Sequence, residues 1–268
     1  STDEVQLLLQ ALHRQFNVAT DAEITLEANP DDITGEKLAA WKGEGINRLS
    51  IGIQSFFEEE LVWMNRAHNA GQAERCIEQS LQAGFHNFSI DLIYGSPLLT
   101  DDMWQQNVKK AVDYGITHLS CYALTVEEKT PLHKLIRTAQ KQPVDSDKQA
   151  SQFLLLMQWL KAAHYEHYEV SNFALPGYRS KHNSAYWQGK KYLGLGPSAH
   201  SYNGAARLWN KPANNLYIRS IAEGVLPQES EVLTPTEQLN EYIMTSLRTA
   251  EGLNLQHVQT NFGDDKKR

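Results

Sequence analysis

Four apolar runs in this sequence each carry a polar side chain able to act on a ligand: Glu27 in EITLEANP, Gln54 in RLSIGIQSF, Asp91 in SIDLIYGSP and Tyr122 in HLSCYALT. Glu27 and Asp91 lie at or near ends of runs that read as strands. There a carboxylate stays ionised and can accept hydrogen bonds from a ribose diol or an ammonium group. The same pair could serve as acid and base in a hydrolase or lyase, and either alone could be a helix cap or a surface charge. Arg66, in WMNRAHNA, could hold a carboxylate by two parallel hydrogen bonds that lysine cannot copy, although most arginines are simply solvated. Two histidines sit in unusual company. His182 opens HNSAYW beside two aromatics, and His200 closes the small-residue run GLGPSAH, whose bare backbone a ligand could approach closely. One histidine without partners does not define a metal site, and GLGPSAH matches neither the phosphate loop nor the dinucleotide fingerprint.

The elements that must position these groups alternate. Strand patterns at Glu23–Pro30, Arg48–Phe56, Phe88–Ile93 and Thr117–Ala123 are separated by helical patterns over Thr34–Gly45, Phe56–Trp63, Gln72–Ala83 and Thr100–Tyr114, several ending at a glycine. This alternation predicts an α/β fold with a parallel sheet, whose C-terminal strand ends converge on one rim where active sites lie. Glu27, Gln54, Asp91 and the Tyr122 region are therefore expected to share a pocket. Before the first strand, Val5, Leu8, Leu9, Leu12 and Phe16 fall at helical spacing behind a Ser1 or Thr2 cap. After Pro131 the rhythm changes to a long helix from Ser146 to about His164, with Phe153, Leu154, Met157 and Leu160 as its expected buried face. An aromatic, histidine-rich stretch follows, and from Asn214 on the pattern reads as a small appended domain with helices at Asn215–Ala222 and Thr236–Arg248.

The 268 residues, 41% of them hydrophobic, suffice for a substantial core, and a net charge of −7 gives no electrostatic footprint for nucleic acid. No stretch approaches a membrane span and STDEVQ does not read as a signal peptide, so a cytoplasmic location is the expectation. Cys76 and Cys121 form neither a disulfide framework nor a metal motif and read as buried thiols. The final GDDKKR is expected to be a disordered tail.

Taken in order, LEANPDD, RLSIGIQSF, MNRAH, DLIYGSP, LSCYALT, YEVSNFA, HNSAYW and YLGLGPSAHSY closely resemble the oxygen-independent coproporphyrinogen III oxidase group of radical SAM proteins, in particular its heme-chaperone branch. The resemblance implies a partial (β/α)6 TIM-like barrel in which a [4Fe-4S] cluster, held by three cysteines, binds S-adenosylmethionine and reductively cleaves it to a deoxyadenosyl radical. It assigns S-adenosylmethionine contacts to Glu27, Gln54, Arg66 and Asp91, and further ones to Tyr122, Ala123 and His200. It makes His182 the expected heme ligand. The partners it implies are heme, heme-accepting proteins and a candidate second copy of the chain. A rival within the resemblance is the dehydrogenase that oxidatively decarboxylates two propionates of coproporphyrinogen III.

The departures from the family pattern shape the remaining expectations. Neither the CxxxCxxC cluster motif nor the GGGTP loop is present, and two cysteines far apart cannot hold a cubane that needs closely spaced thiolates. The chain is thus expected to carry strands three to six of the barrel in residues 1–139, a family-specific extension in 140–211 and a small C-terminal domain in 212–268. It is expected to be a piece of a longer protein, lacking the barrel's first two strands. Alone it should neither assemble the cluster nor cleave S-adenosylmethionine, and the bared edge of its first strand should invite self-association.

Overall fold

A computed structural model describes residues 1–263; all but the first residue of the GDDKKR run lies outside the described residues. The chain divides into two compact units, Ser1–Arg179 and Ser180–Arg268. Among the described residues no helix is long and apolar enough to cross a membrane.

The first unit is built on a six-stranded sheet. Its strands are β1 (Thr25–Ala28), β2 (Arg48–Gln54), β3 (Phe88–Tyr94), β4 (His118–Ala123), β5 (Glu166–Glu169) and β6 (Asn172–Ala174), in the spatial order β1-β2-β3-β4-β6-β5. β1 to β4 pair in parallel, as the alternation of patterns predicts, while β6 joins β4 antiparallel and β5 closes the sheet. Seven helices accompany the sheet: α1 (Thr2–Gln15), α2 (Gly35–Gly43), α3 (Glu58–Trp63), α4 (Ala70–Gln82), α5 (Asp101–Asp113), α6 (Pro131–Arg137) and α7 (Ser146–Ala162).

Register divides the sheet's two faces by chemistry. Leu49 pairs with Phe88, Ile51 with Ile90, Ile90 with Leu119 and Leu92 with Cys121. All are buried in one core with Leu38 and Trp41 of α2, Ile77 of α4, Trp104 and Val108 of α5 and Leu156 and Leu160 of α7. Because side chains alternate along a strand, the intervening residues Arg48, Ser50, Gly52, Ser89, Asp91, His118, Ser120 and Tyr122 belong to the other face. A parallel sheet covered on both sides is usually apolar throughout, so a polar face is the departure to explain.

One expected helix face differs from the structure. On α7, Leu154 is 65% exposed and Met157 37%, whereas Gln152, Leu156 and Leu160 are buried. The buried stripe runs at i, i+4, i+8 from a glutamine. Its side chain accepts the Gly95 N–H at 2.9 Å and donates to the Leu99 carbonyl at 3.1 Å, which satisfies backbone groups where β3 turns towards α5. On α1, Val5 and Leu9 pack against the core while Leu8 and Phe16 are exposed.

The second unit holds a three-stranded antiparallel sheet of β7 (His200–Tyr202), β8 (Ala206–Asn210) and β9 (Gln228–Val232). Around it come α8 (Lys181–Trp187), α9 (Asn214–Ala222), α10 (Pro235–Ser246) and α11 (Leu255–Phe262). In YLGLGPSAHSY the extended residues are confined to β7 and a single bridge between Tyr192 and Tyr202.

Candidate functional site

The polar face brings Gln54 and Arg66 to Gly52 and carries Glu27 and Asp91 as well. Glu27 pairs with Ser50 and Ser50 with Ser89, which puts Glu27 on the same face as Asp91, two residues beyond Ser89. A β-carbon added at Gly52 would meet Gln54 Nε2 at 2.8 Å, Arg66 Nη2 at 3.4 Å and Asn29 Oδ1 at 3.6 Å. Glycine leaves open the space on which these three polar groups converge. Gly52→Ala is expected to keep stability within about 1 kcal/mol, since the nearest atom ends a flexible side chain that can swing away from the added methyl. Urea denaturation beside the wild type checks this, and a larger loss would show that Gln54 is held rigidly in place.

Local structure explains how Gln54 and Arg66 arrive there. Register slips between Ile51 and Gln54, and Gln54 takes a left-handed φ of 65°, a conformation that glutamine adopts at a cost and that concentrates at ligand sites. The next connection is pinned by His68, which is buried and whose Nε2 lies 3.0 Å from the Ile53 carbonyl. A carbonyl only accepts, so Nε2 carries the proton. Burial holds the ring below its usual pKa and therefore neutral. With His68 anchored on β2, Arg66 reaches back across the sheet and donates to Asn29 Oδ1 at 2.9 Å, just past the end of β1.

Asp91 is the electrostatic centre. Its carboxyl is pushed up to about 6, first by burial; a hydrogen bond with Ser120 opposes this, the Glu27 charge reinforces it, and Arg48 and Arg66 pull the other way. Glu27, Arg48 and Arg66 thus all act on one carboxylate. Beneath it runs a buried polar layer. Ser89 Oγ lies 2.7 Å from His118 Nδ1 and 3.2 Å from Ser120 Oγ, and His118 Nε2 lies 2.7 Å from the Tyr168 hydroxyl. Burial and the neighbouring Arg48 hold His118 down to about 3, so it is neutral across the physiological range.

Tyr122 and Ala123 end β4 beside Ile93 and Tyr94, with Tyr122 44% exposed. His182 and His200 belong to the second unit. His182 is exposed on α8, its ring edge-on to Tyr186 at 4.8 Å, and exposed His200 starts β7. Gly194 has a reason internal to the chain: its missing side chain makes room for the backbone of His200. Cys76 and Cys121 are buried, burial pushes the Cys76 thiol up to about 12 and Cys121 higher still, and no group of three or more His, Cys, Asp or Glu among the described residues could hold a metal ion. The described residues therefore do not fit an iron-sulfur cluster, whereas the groups around Gly52 offer hydrogen-bond donors and an acceptor to a polar ligand. Asn29, Arg48, Gly52, His118, Ser120 and Tyr168 were not singled out from the sequence. The signal for most of them is present, as polar residues at every second position of RLSIGIQ, FSIDLIY and HLSCYA.

The family model described as the Radical SAM superfamily matches residues 2–111. The heme chaperone HemW of Bacillus subtilis (strain 168) is 32% identical over 265 residues, covering 98% of this chain and 70% of that protein. HemW of Mycobacterium tuberculosis (strain ATCC 25618 / H37Rv) is 35% identical over 254 residues, covering 94% of this chain and 65% of that protein. The chain thus spans about two thirds of the length of these curated relatives. Among solved structures, the coproporphyrinogen III oxidase HemN of Escherichia coli, described as a radical SAM enzyme, superposes with a TM-score of 0.82 at 22% identity, over 97% of this chain and 63% of that one. That likeness shows the fold.

Proposed function

The chain belongs to the radical SAM superfamily, in the family of the heme chaperone HemW, and from that premise we propose that it binds S-adenosylmethionine on the polar face of its parallel sheet and heme through its second unit, for transfer to heme-accepting proteins. The observation that carries the first part is the meeting of Gln54, Arg66 and Asn29 around the bare Gly52, with Glu27 and Asp91 on the same face. Arg66, oriented by Asn29, would take the methionine carboxylate through its planar fork. The two carboxylates suit the ammonium and the ribose hydroxyls, and the Gln54 amide can both donate and accept. Family chemistry couples the bound sulfonium to a [4Fe-4S] cluster that supplies the electron for its cleavage. The described residues offer no thiolates for that cluster, so the proposal for this chain concerns binding and orientation alone.

For heme, the support is HNSAYW, with His182 exposed on α8 and in ring contact with Tyr186, together with relatives at 32–35% identity that bear the chaperone name. The likeness to the coproporphyrinogen enzyme is lower in identity and is one of fold. The reading of Glu27 and Asp91 as the acid and base of an unrelated hydrolase gives way to the family match. In a hemin titration followed by absorbance, His182→Ala is expected to lose or shift the heme band and to weaken binding at least tenfold. A band identical to that of the wild type would remove His182 as the ligand.

A further inference from the structure

The second unit contains a cavity of about 500 Å³ in whose walls aromatic rings alternate with polar side chains. Tyr186 and Trp187 of α8 line it with Tyr192 and Tyr202; Tyr242 of α10 and His257 and Phe262 of α11 line it as well. The rings of each group are mutually braced. Tyr186 meets Tyr192 at 4.6 Å and 67°, and Tyr192 meets Tyr202 at 6.2 Å. Tyr242 lies over His257 at 4.2 Å and 30°, and accepts the Asn254 N–H that precedes α11. Protein interiors are close-packed, and an unfilled space of this size with so many rings on its walls is of the scale that takes a whole small ligand.

We infer that this cavity is the seat of a flat, conjugated macrocycle of porphyrin size carrying acidic edge groups. Aromatic faces and edges bind planar π systems by offset stacking and T-shaped contact, and the rings lining this cavity supply both. Its polar members are placed for an acid: Lys190 lies exposed on the lining, and the Arg207 guanidinium is held 2.6 Å from Glu241, so that Glu241 is already engaged. His257 adds a nitrogen donor. Among the described residues no hydrogen bond to its ring nitrogens is present, its backbone N–H alone donating to Asn254, and imidazole is a common ligand of heme iron. His182 does not line the cavity. Its ring rests on Tyr186, one residue behind the wall. The inference deepens the heme reading and rests on it for the choice of macrocycle, but it assigns the ring to walls outside the HNSAYW motif.

Titration of the whole chain with metal-free protoporphyrin IX, followed by porphyrin fluorescence, tests the cavity without any metal ligand. Tyr242→Ala and Tyr192→Ala are each expected to weaken binding about tenfold, with unchanged circular dichroism as the folding control. The exposed Lys190→Glu, which carries no folding risk, should weaken protoporphyrin IX severalfold and leave its dimethyl ester unaffected. His257→Ala should leave protoporphyrin IX within threefold of wild type and alter the heme band in a hemin titration. Protoporphyrin affinity indifferent to Tyr242, Tyr192 and Lys190 would overturn the inference, even if His182→Ala abolished the heme band and so upheld the ligand reading. Cavity-dependent porphyrin binding with a heme band indifferent to His182 would uphold the inference and sink that ligand reading instead.

Discussion

Asp91→Asn is expected to make the ligand-free chain more stable at pH 7.5 while reducing its affinity for S-adenosylmethionine by one to two orders of magnitude. The folded chain keeps the Asp91 proton until about pH 6, whereas a free aspartate releases it near 3.8. Stability contributed by the protonated carboxyl is thus fully present below pH 3.8 and lost as the pH rises through 6, after which the buried charge is a net cost. Two pH units correspond to at most about 3 kcal/mol. Asparagine cannot ionise, so the stability gap between variant and wild type should open from near zero at pH 4 to about 2–3 kcal/mol at pH 7.5. Urea denaturation at a series of pH values reads this directly. Binding moves the other way, because removing a charged hydrogen-bond partner costs about 1.5–3 kcal/mol. A residue that weakens the empty fold and strengthens the complex is held for its ligand. A gap that does not vary with pH would show that Asp91 is not the group carrying the strain.

The second large effect concerns the charge beneath the site. Arg48 is 4% exposed, its Nε has no hydrogen-bond partner among the described residues, and its nearest carboxylate oxygen, on Glu23, is 4.0 Å away. Burial disfavours the guanidinium charge; Glu23 is the first group to support it, followed by Tyr168, Asp91 and Glu27. Glu23→Leu therefore strands a buried cation and should cost about 3–5 kcal/mol. The double variant Glu23→Leu/Arg48→Met, which removes both charges, should recover most of that loss. A double-mutant cycle by chemical denaturation measures the difference. Additive losses would mean that the two residues act independently.

Much of the first unit was legible in the sequence because its parallel strands carry buried apolar residues at every second position, each closed by a helix cap or a glycine. Gly95 is a case in point. It takes φ 78°, and a side chain there would collide with Gln149 of α7, so the GSP break after β3 is a packing requirement as well as a turn. The β5–β6 hairpin was not legible. HYEHYEVSNFA scatters its buried anchors Tyr165, Tyr168, Phe173 and Ala174 among polar neighbours at no regular strand spacing, and its pairing with β4 is fixed by contacts distant in sequence. The same limit hid the layer of Arg48, Ser89, His118 and Tyr168. Each is an ordinary polar residue in its own segment, and the relation among them exists only once register brings four strands together. Glu27 and Gln54 could be picked out because they lie where their strands end; Asp91, expected near an end, lies in the middle of β3 and stood out as the lone charge of an apolar run. The convergence of Arg66 depends on His68 anchoring its loop, which no local pattern encodes.

The two borders of the six-stranded sheet are chemically unequal. At one margin β5 is four residues long, interrupted by a slip in register between His167 and Glu169, and flanked by the Glu166–Arg179 ion pair. At the other, β1 presents Thr25–Ala28 in regular register with β2 and carries a single charge, Glu27. An extended segment from any source would find its outward amides and carbonyls ready for pairing there and discouraged at the opposite margin. Pairing is therefore favoured at the β1 margin alone, and a segment laid against β1 would become a neighbour of Glu27.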